Sequence, residues 1–165
     1  MPADKLSNRL IHEYGDTILR MCFLYLKDYH LAEDAAQETF IKAVRNYDSF
    51  EQKSSEKTWL IKIAVNCCKN IMRSRWFRFG FLNIDEYPNV TDSNCEINNM
   101  ILKDTISDTI MKLNVLEREI IILHYYQELS IKEISSMLGK SENAVNQRLF
   151  RARKKLKSIM KEAGL

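Results

Sequence analysis

With 165 residues, 45% of them hydrophobic, the chain has material for one or two small soluble domains. Only four glycines and two prolines argue for a mostly helical fold. The best apolar stretch, around Ile18 to Leu26, is interrupted by Arg20 and falls short of the ~18 residues that a membrane span needs. The net charge of +3 is small, but it is unevenly spread. Residues 1–50 carry six basic and eight acidic groups, 51–80 seven and two, 81–108 one and six, and 109–165 eleven and six. Two basic blocks separated by an acidic one suggest two modules facing nucleic acid, joined by a tether that does not itself bind phosphate.

The first residues, MPADKLSNRL, hold no signal-peptide core, which predicts a cytoplasmic protein. Cys22, Cys67, Cys68 and Cys95 form no CxxC pair, and His12, His30 and His124 stand at no metal-site spacing from them. No metal and no cofactor is expected, and the buried-type cysteines read as small core residues in a reducing compartment. No phosphate-cradling Gly-rich loop and no nucleophile–base pair stands out, so no catalytic residues are assigned.

In chain order, Leu10, Ile11, Tyr14, Ile18, Met21, Cys22, Tyr25 and Leu26 have the period of one or two helices, with Gly15-Asp16 as a possible irregularity. Next, LAEDAAQETFIKAVRNYDSF offers Leu31, Ala35, Phe40, Ile41 and Val44 as an inward stripe, with Glu33, Asp34, Gln37 and Glu38 gathered on the other side. Acidic groups early in a helix also stabilise its dipole, which is the plain structural reading of that cluster.

FEQKSSEK, residues 50–57, has the composition of a loop, and Thr58 then opens a helix through Arg75. Its apolar residues are Trp59, Ile63, Cys67 and Ile71, flanked by Leu60, Ala64 and Cys68. Lys62, Asn66, Lys69, Asn70 and Arg73 lie on or beside the opposite face, and such a face can follow a phosphate backbone while reading base edges. The aromatic run Trp76 to Phe81 suits base stacking, core closure or a protein interface equally. From about Asn83 to Asn99 neither helical nor strand period is sustained, which predicts a linker.

Helical period returns near Ile101 and runs through Leu113; Asn114 stands at capping-box spacing from Glu117, and VLEREIIILHYY follows as a strongly apolar helix. Leu129 to Lys157 then reads as two short amphipathic helices around Gly139-Lys140, with Ser130 and Ser141 as their caps. If Val145 points inward, Asn143, Gln147, Phe150 and Lys154 point outward, flanked by Asn146 and Arg151. Amides suit adenine, arginine suits guanine, and an exposed Phe can meet a thymine methyl. Seven basic and no acidic residues between Arg148 and Lys161 suit phosphates.

Together these segments resemble the bacterial sigma factors of the extracytoplasmic-function (ECF) type, over nearly the whole chain. AEDAAQETFIKA resembles that family's contact with core polymerase, TWLIKIAVNCCKNIMRSR its minus-ten helix, and LEREIIILHYYQELSIKEISSMLGKSENAVNQRLFRARKKLK its minus-thirty-five module. The resemblance implies an all-α fold of two small helical domains, residues 1–80 and 105–165, joined by a flexible acidic linker over 81–104, the second domain a helix-turn-helix. It implies core-polymerase binding by Asp34, Gln37 and Glu38. Minus-ten contacts are implied for Lys53, Ser54, Ser55, Lys57, Lys62, Asn66, Lys69, Asn70 and Arg73, with the loop over 51–57 receiving a flipped non-template base. Minus-thirty-five contacts are implied for Ser141, Asn143, Asn146, Gln147, Arg148, Phe150, Arg151 and Lys154; periodicity puts Arg148 on the shoulder of the apolar face, aimed at phosphate rather than a base. The implied partners are bacterial core RNA polymerase, promoter DNA and an anti-sigma factor, membrane-linked in many relatives, with no small-molecule substrate. A stand-alone helix-turn-helix regulator is the alternative reading.

Overall fold

A computed structural model describes residues 2–79 and 105–164, with side chains for all of these but 75–79 and 105. The expected linker over 81–104 and the side chains of the Trp76 to Phe81 run lie outside the described residues. All regular structure among the described residues is helical, and the chain divides into two compact units.

The described residues of the first unit form three α-helices and a short 3-10 helix, Tyr47–Ser49. Helix α1 (Ala3–Leu26) runs through Gly15 without a break. A glycine inside a helix costs about 1 kcal/mol against alanine, and burial of Leu10 on one side and Ile18, Met21 and Cys22 on the other outweighs it. The chain turns at Lys27, in the left-handed region (φ 58°), and the Asp28 carboxylate accepts the Leu31 amide at 2.9 Å to start α2 (Tyr29–Arg45).

Helix α2 buries a different stripe from the one its large side chains suggest. Ala32, Ala35, Ala36, Thr39, Phe40 and Ala43 face inward, while Leu31 and Val44 are half-buried and Ile41 is 46% exposed. A face built mostly of alanine lets the backbones of its neighbours approach closely, so the bulkier side chains are left at the rim. The Thr39 hydroxyl avoids burial without a partner by donating to the Ala35 carbonyl at 2.6 Å.

Helix α3 (Glu56–Phe79) starts two residues earlier and runs four residues further than expected. It is turned likewise: Leu60, Ile61, Ala64, Val65, Cys67 and Cys68 are buried, and Trp59, Ile63 and Ile71 are only half-buried. The α1, α2 and α3 helices all pack on one another. Cys22, Cys67 and Cys68 are buried in this core outside any disulfide, and burial pushes the Cys67 thiol up from its ordinary pKa.

In the second unit, α4 (Thr105–Ile110) is followed by α5 (Val115–Ile121), opened by a reciprocal box between Asn114 and Glu117. The apolar segment does not end as a regular α-helix: Ile122–Tyr126 widens into a π-type turn. Helix α6 (Ile131–Leu138) has a second reciprocal box, Ser130 with Glu133, and ends at Gly139 with φ 63°. That left-handed cap is where glycine carries no side-chain penalty. Ser141 then caps α7 (Glu142–Glu162) by accepting the Ala144 amide at 3.0 Å. Val145, Leu149 and Ala152 are buried, as their spacing predicts, against a core that includes Ile120, Leu123 and Ile134.

Candidate nucleic-acid interface

In the first unit, the outer face of α3 carries Lys62, Asn66, Asn70 and Arg73 exposed and Lys69 half-buried, so the five expected residues share one side of the helix. The loop ahead of it is exposed from Glu51 to Ser55, and Lys57 is half-buried. Its groups are less free than their composition suggests. Lys53 pairs with Glu51, and the Ser55 hydroxyl accepts the Thr58 amide at 3.0 Å as a helix cap while donating to the Thr58 hydroxyl at 2.9 Å. Ser55 therefore shapes the start of α3, and Ser54 lies against its carbonyl at 3.4 Å.

The loop is held by residues that sequence reading missed. The Arg9 guanidinium of α1 forks onto both carboxylate oxygens of Glu56, at 2.9 and 2.8 Å, and also reaches Glu13 at 3.1 Å. The Tyr47 hydroxyl donates to Glu56 at 2.5 Å and accepts from Arg9 at 3.1 Å. Hydrogen bonding to Arg9, more than any other influence, lowers the Glu56 carboxyl pKa to about 2 despite the opposing effect of burial. Tyr14, desolvated beside the same carboxylates, is pushed up to about 12. Beside this network Tyr47, Phe50 and Trp59 form an aromatic cluster, with Phe50 and Trp59 ring centroids 5.0 Å apart. No local pattern signals it, since Arg9 and Glu56 are 47 residues apart.

On the far side of α2, Asp34, Gln37 and Glu38 are all exposed on one face, with Glu38 3.4 Å from Lys42. Gln37 also lines a groove of about 740 Å³ between α1 and α2, whose walls include Ile11, Leu19, Phe40 and Ile41 and whose rim includes Asp4 and Glu33. Ile11 and Ile41 are each nearly half exposed there. An apolar floor whose border holds three carboxylates, Asp4, Asp16 and Glu33, against the single cation Arg45 suits a basic, amphipathic partner surface.

In the second unit, Asn146, Gln147, Phe150 and Arg151 line a shallow recess of about 420 Å³ on α7. Phe150 is 66% exposed, and Asn143 and Lys154 extend the same face by a turn in each direction. An exposed phenyl ring beside amide and guanidinium groups can meet a thymine methyl at a base edge. Two expected contacts are engaged elsewhere. The Ser141 side chain is the α7 cap, and Arg148 turns inward to the Glu119 carboxylate at 3.5 Å, with Glu119 only 1% exposed. Because a buried carboxylate needs neutralising, this pairing also ties α7 to α5. Arg153 is also drawn aside, donating to the Tyr125 hydroxyl with its guanidinium 5.4 Å from that ring's centroid.

Over residues 10–78 the sequence matches Sigma-70 region 2, and over residues 103–156 it matches Sigma-70 region 4. The chain belongs to the ECF sigma factors. It is 34% identical over 158 residues to the RNA polymerase sigma factor YlaC of Bacillus subtilis, covering 92% of this chain and 90% of that one. It is 30% identical over 164 residues to the ECF sigma factor SigW of the same bacterium, covering 93% and 88%. In fold it is similar to the sigma factor RpoE solved with the anti-sigma factor NepR from Bartonella quintana, with a TM-score of 0.72 at 23% identity over 93% of this chain and 96% of that one. The function of this ECF sigma factor is accordingly that of an alternative sigma factor, promoter recognition in transcription initiation. Among the described residues no helix is long and apolar enough to cross a membrane.

Proposed function

We propose that this sigma factor divides promoter reading between its two units, with no chemistry of its own. The α7 recess of Asn146, Gln147, Phe150 and Arg151 meets the minus-thirty-five element in the major groove, assisted by Asn143 and Lys154. The α3 face of Lys62, Asn66, Lys69, Asn70 and Arg73 lies along the minus-ten strand, and the loop with Lys53 and Ser54 receives an extruded base. Melting then proceeds by capture: the energy of unstacking one base is offset by its new contacts in the loop. Core polymerase docks on Asp34, Gln37 and Glu38 beside the α1–α2 groove. An anti-sigma factor competes for these surfaces in the cytoplasm, as the relatives solved with NepR and with the cytosolic domain of CnrY suggest.

The observation that carries this reading is that each compact unit presents its own exposed row of amide and basic side chains on a single helix face. A stand-alone regulator would need only one such face. Run-off transcription with purified core polymerase tests it: specific transcripts should require the chain, and binding of duplex promoter DNA without core should be weak. Tight duplex binding alone, with no core-dependent transcript from a chromosomal promoter library, would overturn it. Asp34→Arg should weaken holoenzyme assembly while leaving the thermal melt unchanged, and undiminished assembly would remove that residue from the docking surface.

A further inference from the structure

Tyr47 and Glu56 stand at the two ends of the loop that precedes α3, and their 2.5 Å hydrogen bond closes it at its base. Between them Gln52 adopts a left-handed backbone (φ 55°), and residues 51–55 are exposed, so the loop has no core of its own to fix its shape. What fixes it comes from elsewhere in the unit. Arg9 of α1 holds both oxygens of Glu56 and the Tyr47 hydroxyl together, and Glu13 one turn later holds Arg9. Phe50, the first loop residue, packs against both the Tyr47 and Trp59 rings, 6.1 and 5.0 Å away. The loop thus leaves one end of an aromatic cluster and returns to a bidentate ion pair, both referenced to α1 and α3.

Resting on the reading of this loop as the receiver of an extruded base, we propose that Arg9, Tyr47 and Glu56 form a latch that sets the loop's shape for base capture. None of the three touches the base. Arg9 has a second role in the same arrangement: the Glu56 carboxylate would otherwise repel approaching phosphates, and the guanidinium neutralises it at the source. Tyr47, Arg9 and Glu56 are positioning residues, acting through the loop.

The test uses holoenzyme assembled from the full chain and purified core polymerase, with fork-junction DNA carrying 2-aminopurine at successive non-template positions of the minus-ten element. In the unmutated holoenzyme one position should brighten, marking the extruded base. Tyr47→Phe, which keeps the ring, and Glu56→Gln should each weaken binding of that fork by about five- to tenfold, part of what stacking a captured base is worth. The Tyr47→Phe/Glu56→Gln double variant should be little worse than either single variant, because the latch acts as a unit. On a fork with an abasic site at the bright position, all three variants should match the unmutated protein within about twofold, which also shows that they are folded. Equal losses on both forks, or no loss on either, would overturn the latch. If no position brightens with the unmutated holoenzyme, the base-capture reading fails and the latch fails with it.

Discussion

The 50–55 loop ahead of α3 and the Gly139 to Ser141 turn ahead of α7 both set the start of a helix with an amide-and-basic outer face, but they are held by different means. The turn is local: a left-handed glycine, a serine cap three residues from its amide, and a serine–glutamate box one helix earlier. The loop is held across the chain, by Arg9 from 47 residues before Glu56 and by an aromatic cluster drawn from three segments. A locally specified turn is rigid as soon as its helices form, whereas a loop fixed by tertiary contacts keeps its shape only while the whole unit is packed. In the proposed division of promoter reading, the rigid element belongs to the unit assigned to duplex DNA, and the conditional one to the unit assigned to a displaced base.

The second unit too depends on a distant pair, Arg148 with Glu119. Arg148→Met should destabilise that unit by about 3 kcal/mol, because it removes a cation from beside the buried Glu119 carboxylate. Urea denaturation should show the loss, and weaker minus-thirty-five binding should follow from instability rather than from altered sequence preference. A variant of unchanged stability with a uniform loss across DNA sequences would instead make Arg148 a phosphate contact.

Acid should open the first unit's network. The folded Glu56 pKa of about 2 lies below the ordinary 4.5, so its stabilisation is complete above about pH 4.5 and is lost as pH falls towards 2. With Arg9 partly exposed to solvent screening, the loss should be roughly 2 kcal/mol. Comparing acid titrations of the unmutated chain and Glu56→Gln isolates it, since the variant should lack that part of the pH dependence.

Smaller effects separate base contact from folding within the second unit. Gln147→Ala should change minus-thirty-five preference at one base pair by about 1.5 kcal/mol if its amide makes paired base contacts, with the thermal melt unmoved. Competition binding against single-base variants of the site would show it. Ser130→Ala, which removes only a cap, should lower stability by about 1 kcal/mol and leave sequence preference as it was. If it altered preference, the turn would be positioning the reader less rigidly than its local bonds imply.

The sequence by itself determined the helical class, the caps at Asn114, Ser130 and Ser141, the inward side of α7 and the outward Phe150. Each depends on residues within about four positions of one another, and a helix brings those together whatever it packs against. It also carried the family, through three segments in their order. Tertiary structure alone decided which stripes α2 and α3 bury. There a close-packing alanine face displaced Ile41 to the rim of a groove, and Trp59 was drawn out of the expected stripe into a cluster with Tyr47 and Phe50. It also decided that Arg148 answers the buried Glu119, and that Arg9, Tyr47 and Glu56 meet. Such pairings have no periodic signature, because they exist only once helices far apart in the chain have fixed one another's rotation.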